Sequence, residues 1–281
     1  MKRDSISGTL LVALVLCVVC SVVVASAAVL LRPLQEANKK LDRQRNVLIA
    51  GGVDVSSMST AEIESMFGDE TRIERVLIDL STGETVDAEA AGIDLATYDP
   101  KKAAKSPELS QRVDSAAGAT PGVSRREKYA FVYQMVNGGK VEQYVLPVYG
   151  KGLWSTLYGF LALQGDLRTV SGITFYEHKE TPGLGGEVDN AVWKAKWPGK
   201  KVYDDQWQVD FKVIKGEVDP NSAKADHQID GLSGATITSR GVSNLVQYWV
   251  GPDGFGKFLE KQRDVNSSAH QRATGQKRSA Q

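Results

Sequence analysis

A run of small and hydroxyl-bearing residues at 230–239, DGLSGATITS, has the composition of a phosphate-binding site. Gly234 and Ala235 allow a ligand to approach the backbone closely. The free N–H groups and the positive dipole end of a following helix favour an anion. The same residue types also form an ordinary N-cap and turn, so the run by itself leaves both interpretations open.

The phosphate interpretation needs a helix directly after this run. Val242, Leu245, Val246 and Trp249 recur at i, i+3, i+4 and i+7, which predicts a helix from about residue 237 to 250 with one apolar face. The Gly-Pro pair at 251–252 ends that helix.

Three segments of the chain resemble the motifs of one family of flavoproteins. Residues 230–239 resemble the motif in which a threonine hydroxyl is joined to the phosphate of FMN by a phosphodiester bond. Residues 150–155 (GKGLWS) and 178–185 (HKETPGLG) resemble two further motifs of that family, in the same order. Together with an apolar N-terminal segment, they make residues 1–262 similar to the NqrC family, the C subunits of the sodium-translocating NADH:quinone reductases. The G subunits of Rnf electron-transport complexes are a more distant resemblance, because their chains are usually shorter.

This resemblance implies the site residue by residue. Thr236 matches the threonine that carries FMN covalently, and the family pattern selects it where the chemistry of the neighbouring hydroxyls does not. The other implied flavin-binding residues are Asp230, Ser233, Gly234, Ala235, Thr238, Leu153, Trp154, Ser155, Glu180, Thr181, Pro182, Gly183 and Leu184. No catalytic residue is expected. No metal site is expected either, because the three histidines do not share a metal-ligand spacing.

The residue types suit a flavin, whose ring needs apolar walls and a few directed hydrogen bonds. Leu153, Trp154 and Leu157 follow a glycine turn and are candidates for one wall. In the second loop, Pro182 restricts the backbone and the glycines let it approach a flat ligand. Each segment alone is more typical of a turn, a core aromatic residue or a surface loop, and it is their occurrence together with residues 233–236 that favours flavin contact.

The N-terminal segment has the length and composition of a membrane anchor. Residues 7–31 contain no Asp, Glu, Lys or Arg, and a helix of this length crosses a bilayer. The alternative is a cleaved signal peptide, since residues 25–27 (ASA) resemble a cleavage site, but the apolar run is longer than an ordinary signal peptide contains. A lipoprotein is disfavoured because neither cysteine follows the small residue of a lipobox. Cys17 and Cys20 are interpreted as helix-packing residues.

The orientation of the anchor is predicted differently by charge and by resemblance. Five Lys and Arg residues lie shortly after the apolar run and two lie before it, which by counting would place the large domain in the cytoplasm. Long domains cross the membrane largely regardless of such charges. The resemblance implies a single-pass protein of the inner membrane with its soluble domain in the periplasm.

The remaining sequence predicts an α+β fold, with one N-terminal transmembrane helix followed by a soluble α+β domain, which the resemblance implies is an FMN-binding domain. Predicted elements are a helical patch at 60–67, strands at 75–80, 168–176 and 207–215, and a hairpin of 129–137 with 141–149. The expected division is 1–6, a cytoplasmic N-terminus; 7–31, the transmembrane helix; 32–50, a juxtamembrane helix; 51–125, the N-terminal part of the periplasmic domain; 126–262, the FMN-binding domain; and 263–281, a disordered tail.

The function implied by the resemblance is electron transfer by FMN within a sodium-pumping NADH:quinone reductase, from NADH-side centres towards ubiquinone. The implied partners are the other members of a complex of six subunits, especially the B, D and E subunits, and a flavin transferase during maturation. Equal numbers of acidic and basic residues, 34 each, do not suggest a nucleic-acid partner. Two alternatives stay open: a flavin-carrying G subunit of an Rnf complex, and an anchored periplasmic binding or scaffold module without a cofactor.

Overall fold

The structure, a computed structural model, describes residues 6–67, 72–95, 97–113 and 120–266. Two compact units divide the chain after Arg43. The first unit contains most of the N-terminal helix, and the second contains all of the strands described below. Residues 1–5, expected to be cytoplasmic, and residues 267–281 of the expected tail lie outside the described residues.

Helix α1 runs without interruption over Ile6–Ala50 and contains Pro33. It therefore joins the two helices expected at 7–31 and 32–50. Within the described ranges it is the one helix long and apolar enough to cross a membrane. Its last turn belongs to the second unit, where Val47, Leu48 and Ala50 are buried. The unit boundary consequently falls inside the helix and not at residue 50.

The second unit is built on a six-stranded antiparallel sheet. The strands along the chain are β1 (Ile73–Asp79), β2 (Glu84–Thr85), β3 (Ser110–Arg112), β4 (Arg125–Glu127), β5 (Tyr129–Asn137), β6 (Lys140–Lys151), β7 (Thr156–Gln164), β8 (Val170–Glu177), β9 (Lys212–Val213) and β10 (Gln228–Ile229). The spatial order in the six-stranded sheet is β2, β1, β5, β6, β7 and β8. Two small sheets pair β3 with β4 and β9 with β10.

Short helices cover and connect this sheet. They are α2 (Thr60–Ser65), α3 (Pro100–Ala103), α4 (Ala191–Lys194), α5 (Thr236–Val250) and α6 (residues 256–266), with 3-10 turns at Gly185–Asp189 and Ala225–His227. Helix α2 begins with a capping box in which Ser59 and Glu62 satisfy each other's backbone N–H groups.

Helix α5 packs against β6, and this packing places the start of α5 beside the end of β6. Val242, Leu245, Val246 and Trp249, the predicted apolar face, are all fully buried. The indole N–H of Trp249 donates a hydrogen bond of 2.7 Å to the carbonyl oxygen of Tyr149. The apolar contacts and this bond together fix how far α5 can slide along β6.

Several predicted elements are confirmed and others are corrected. The β5–β6 hairpin and strand β8 are confirmed. The strand expected at 207–215 is wrong, because only Lys212–Val213 pair with another strand. Trp207 has a φ of 59°, a left-handed conformation that is not compatible with an extended β-strand. Residues 263–266, expected in the disordered tail, form the last turn of α6.

Sequence reasoning does not predict β7. Its burial pattern is nearly continuous, with Phe160 to Leu163 all buried, so both faces of this strand are covered. A strand covered on both faces loses the apolar and polar alternation that identifies strands in a sequence.

Candidate functional site

The start of α5 has free backbone donors that face the surface. Thr236 is the first helical residue, and no side chain caps the helix at Ala235. The first intrahelical bond runs from Ser239 N to Ala235 O, at 3.0 Å. The N–H groups of residues 236–238 therefore have no partner one turn earlier in the helix. Such a cluster of donors, at the positive end of the helix dipole, favours a phosphate.

Gly234 makes the turn into α5 possible. Its φ is +70°, a region in which side chains with a Cβ are strained. A Cβ at this position would also lie 2.9 Å from Leu184 Cδ2. The turn therefore brings the second predicted loop, 178–186, directly against the start of α5.

The hydroxyl groups at this turn are not equivalent. The Thr238 side chain is buried and donates a hydrogen bond of 2.8 Å to Glu180 Oε2. The Ser239 hydroxyl accepts a bond of 2.9 Å from Leu232 N. Thr236 and Ser233 are exposed. The two exposed hydroxyls are consequently the ones that an incoming phosphorus atom can reach.

Glu180 joins all three predicted segments. Its Oε1 accepts hydrogen bonds from the backbone N–H of Trp154 and Ser155, both at 3.0 Å. Its Oε2 accepts from Leu153 N at 3.1 Å and from the Thr238 hydroxyl. The loop after β6, the loop after β8 and the first turn of α5 therefore meet at one carboxylate.

The environment of Glu180 keeps this carboxyl ionised. Only 5% of its surface is exposed. Burial acts to raise its pKa, but the hydrogen bonds from Thr238 and from the backbone of Trp154, Ser155 and Leu153 outweigh burial and hold the pKa below its ordinary value. Glu180 is expected to touch the flavin ring, but both of its carboxylate oxygens accept hydrogen bonds from the protein itself.

Large apolar side chains are exposed around the start of α5. The exposed fractions are 46% for Leu153, 68% for Trp154, 45% for Leu184 and 54% for Ile237. Several exposed large apolar side chains close to one turn indicate a ligand or partner site. Leu157, the third residue proposed for the apolar wall, is fully buried in the core, because it belongs to β7. It is not part of this surface, and that interpretation is wrong.

The remaining predicted residues shape the loops. The carboxylate of Asp230 pairs with Lys196 and accepts a hydrogen bond of 2.8 Å from Val218 N. Partial burial acts to raise the pKa of Asp230, but these two partners hold it below its ordinary value. The Ser155 hydroxyl accepts from Lys179 N at 2.8 Å. Residues 181–184 form an exposed turn, closed by Gly186 N donating to Thr181 O at 2.9 Å.

A cleft of about 910 Å³ opens beside Thr236. Ser233, Gly234 and Thr236 lie along one side of it. Its basic lining residues are Lys196, Lys212, Lys215 and Arg240, against two acidic ones, Glu217 and Asp230. The excess of positive charge favours an anion next to the exposed Thr236 hydroxyl.

These features fit FMN in both of its parts. The phosphate matches the free donors of α5, the left-handed glycine that would not accept a Cβ, and the basic cleft. The flavin ring matches the exposed Leu153, Trp154 and Leu184. Within the described ranges, no cluster of three or more His, Cys, Asp or Glu side chains is arranged to hold a metal ion.

Sequence reasoning missed the residue that brings α5 close to the end of β6. A Cβ on Gly241 would lie 2.2 Å from Lys151 O, so only glycine permits this approach. The available signal is a glycine in the interior of a helix, where it costs stability unless close packing requires it.

The comparisons with known proteins agree with this geometry. The model of a family described as FMN-binding domain matches residues 152–251. The C subunit of the Na(+)-translocating NADH-quinone reductase from Pseudomonas aeruginosa is 52% identical over 93% of this chain and 98% of its own. The corresponding protein of Yersinia pestis is 44% identical over 94% and 95%. The crystal structure of Shewanella oneidensis NqrC is 34% identical, with a TM-score of 0.70 over 81% of this chain and 99% of that one.

Proposed function

Because the chain belongs to the NqrC family, the C subunits of the Na(+)-translocating NADH-quinone reductases, we propose that it carries FMN on Thr236 as a covalent phosphodiester. It is an FMN-carrying electron-transfer subunit of that complex, on the path from NADH towards quinone. The observation that carries the attachment site is the exposed Thr236 hydroxyl, at the uncapped start of α5 and beside the basic cleft.

The attachment step uses the hydroxyl of Thr236 as a nucleophile. Its oxygen forms a bond to the flavin-side phosphorus of FAD, the bridging P–O bond of the pyrophosphate breaks, AMP leaves, and the hydroxyl proton is released. We assign this reaction to a separate flavin transferase, as the resemblance to the family implies. The N–H groups at the start of α5 would then hold the phosphodiester charge.

The role of the protein in electron transfer is to hold the cofactor in place. When bound, FMN supplies reversible one- and two-electron chemistry. Leu153, Trp154, Thr181 and Leu184 border the exposed apolar surface beside Thr236 and are the proposed ring contacts. Pro182 and Gly183 shape the turn between Thr181 and Leu184, since Gly183 has φ +75°. The proposed role of Asp230, Ser155 and Thr238 is to hold the loops around the flavin in place. Their hydrogen bonds to Val218 N, Lys179 N and Glu180 support this role.

We place α1 in the membrane as a single anchor, with the second unit in the periplasm and the complex in the inner membrane. The length and composition of α1 support the anchor. Membership of a membrane-bound reductase complex supports partners among the other subunits, and we propose that the B, D and E subunits are the ones in contact. Covalent attachment suits this location, because a flavin lost to the periplasm is not replaced from the cytoplasm.

The attachment site is tested with Thr236→Ala and the matched variant Ser233→Ala in the full-length protein. Thr236→Ala is expected to abolish flavin fluorescence in a denaturing gel and the FMN mass on the peptide containing residues 230–240. Stability should change by no more than about 0.5 kcal/mol, since the side chain is exposed. Ser233→Ala should keep the adduct. An adduct mapped to Ser233 or Thr238 would refute the assignment.

The ring contacts are tested by replacing Thr181 and Leu184 with alanine. Both variants should retain covalent flavin, because both side chains are exposed and Thr236, the proposed attachment residue, is unchanged. Their flavin absorption maxima or midpoint potentials should differ from the wild type. Wild-type spectra and potentials in both variants would leave the 178–186 loop with a structural role alone.

The orientation is tested by fusing alkaline phosphatase after Arg263. An active fusion, together with digestion of the second unit by protease added to spheroplasts, is expected for a periplasmic domain. An inactive fusion with a protected domain would mean that the positive residues after the apolar run set the topology. The proposed periplasmic location would then be wrong.

A further inference from the structure

We propose that Glu180 is a positioning residue whose buried carboxylate holds the two ring loops against the flavin-bearing turn of α5, and whose negative charge lowers the reduction potential of the flavin. This proposal rests on the attachment of FMN at Thr236. It replaces the expectation that Glu180 itself touches the ring.

The first part follows from the contacts of the carboxylate. Its two oxygens accept five hydrogen bonds of 2.8–3.3 Å, from Leu153 N, Trp154 N, Ser155 N, the Ser155 hydroxyl and the Thr238 hydroxyl. The same backbone carries the exposed side chains of Leu153 and Trp154, and Thr238 lies two residues after Thr236. Loss of these bonds would release both ring-side residues and the turn that holds the phosphate.

Two glycines pack closely against the carboxylate of Glu180. A Cβ on Gly152 would lie 2.7 Å from Glu180 Oε1, and a Cβ on Gly185 would lie 2.8 Å from Glu180 Oε2. The two loops therefore enclose the carboxylate with glycines. Gly152 and Gly185 come from different motifs, and a side chain at either position would clash with the carboxylate of Glu180. Both loops are therefore shaped to accommodate this carboxylate.

The second part follows from the charge. No Lys, Arg or His of the described ranges forms an ion pair with Glu180, so its partners are neutral donors. The donors keep the carboxyl ionised, because they hold its pKa below the ordinary value although burial opposes this. A fixed, poorly solvated anion close to a flavin makes the addition of an electron less favourable. A neutral side chain at this position should therefore raise the potential.

The test compares three full-length variants that carry flavin: Glu180→Gln, Glu180→Asp and the control Glu187→Gln. Glu187 lies in the same loop region, and its carboxylate accepts a hydrogen bond of 2.7 Å from the Asn190 amide. The measurements are the flavin midpoint potential by spectroelectrochemical titration and the amide hydrogen exchange of residues 152–155. Glu180→Gln should shift the potential to a more positive value and speed exchange, since an amide offers one acceptor oxygen in place of two.

The Asp variant separates charge from position. It keeps the anion on a shorter side chain, so it should speed exchange while its potential stays closer to the wild type than that of the Gln variant. The Glu187 control should leave both measurements unchanged. A wild-type potential in Glu180→Gln, even with faster exchange, would overturn the proposal, because Glu180 would then be a structural brace only. An equal shift in the Asp and Gln variants would overturn it too.

Thr238→Val covers the case in which Glu180→Gln does not fold. It removes one hydrogen-bond donor and keeps the negative charge of Glu180. With less of that charge compensated, the flavin potential should fall, and an unchanged potential would overturn the proposal.

The proposed function is refuted by a different result, since a wild-type protein without covalent flavin would contradict the attachment at Thr236. Attached flavin with a potential that is insensitive to these variants would refute the role of Glu180 alone.

Discussion

The stability of the second unit is expected to fall as the pH rises from about 5 to about 8, because of Glu127. This carboxyl is only 2% exposed. Burial raises its pKa from the ordinary value of 4.5 to about 7, although a hydrogen bond of 2.6 Å from the Tyr149 hydroxyl and the charge of Arg126 act to lower it. The folded protein thus holds a proton on Glu127 that the unfolded chain releases near pH 4.5.

The sign and size of the effect follow from this pKa. A carboxyl whose pKa is raised by folding contributes stability that is fully present below pH 4.5 and is lost as the pH rises through about 7. A rise of about 2.5 pKa units, at 1.36 kcal/mol each, gives a loss of about 3 kcal/mol as an upper limit. This is a large part of the stability of an ordinary domain.

The assay is urea unfolding of the full-length protein in detergent, followed by tryptophan fluorescence at pH 5 to 8. Glu127→Gln removes the titration and keeps an acceptor for Tyr149. The difference in unfolding free energy, variant minus wild type, should therefore become more positive with pH. Glu177→Gln is the matched control, because that carboxylate is 60% exposed. A pH-independent difference for Glu127→Gln would refute the reasoning.

Three further outcomes are expected from single substitutions. Gly241→Ala should disrupt the packing of α5 on β6 and reduce flavin attachment, because the new Cβ would lie 2.2 Å from Lys151 O; an adduct yield equal to the wild type, measured by in-gel fluorescence, would contradict this. Ser239→Ala should cost about 1–3 kcal/mol in urea unfolding, because it leaves Leu232 N buried without its acceptor. Trp154→Ala should leave the unfolding midpoint nearly unchanged, since the side chain is 68% exposed, while the flavin absorption spectrum shifts.

The sequence by itself determined the local features. The apolar periodicity predicts α5 over nearly its observed length, and the β5–β6 hairpin follows from two alternating runs around a glycine pair. The uncharged run at 7–31 predicts the apolar part of α1. These predictions succeed because each depends on residues close together in the chain, which share one helix or one hairpin.

Sequence patterns failed where long-range burial decides the outcome. Strand β7 has no alternation, because both of its faces are covered by other parts of the unit. The expected strand at 207–215 starts in a left-handed turn at Trp207, where Asp204 accepts hydrogen bonds from Gln206 N and Gln208 N, and only its residues Lys212–Val213 form a strand. Residue type alone does not show which polar groups will bond to each other.

Only the tertiary structure decided which side chains of the motifs are buried and which are exposed. In the sequence, Ser233, Thr236, Thr238 and Ser239 are equivalent hydroxyls, and only the packing buries two of them and exposes the other two. In the sequence, Glu180 resembles a surface residue of a loop, but the fold brings two distant segments within hydrogen-bonding distance of it. The physical reason is that burial and hydrogen bonding depend on neighbours in space. For Glu180, the neighbours lie from 25 to 58 positions away in the chain.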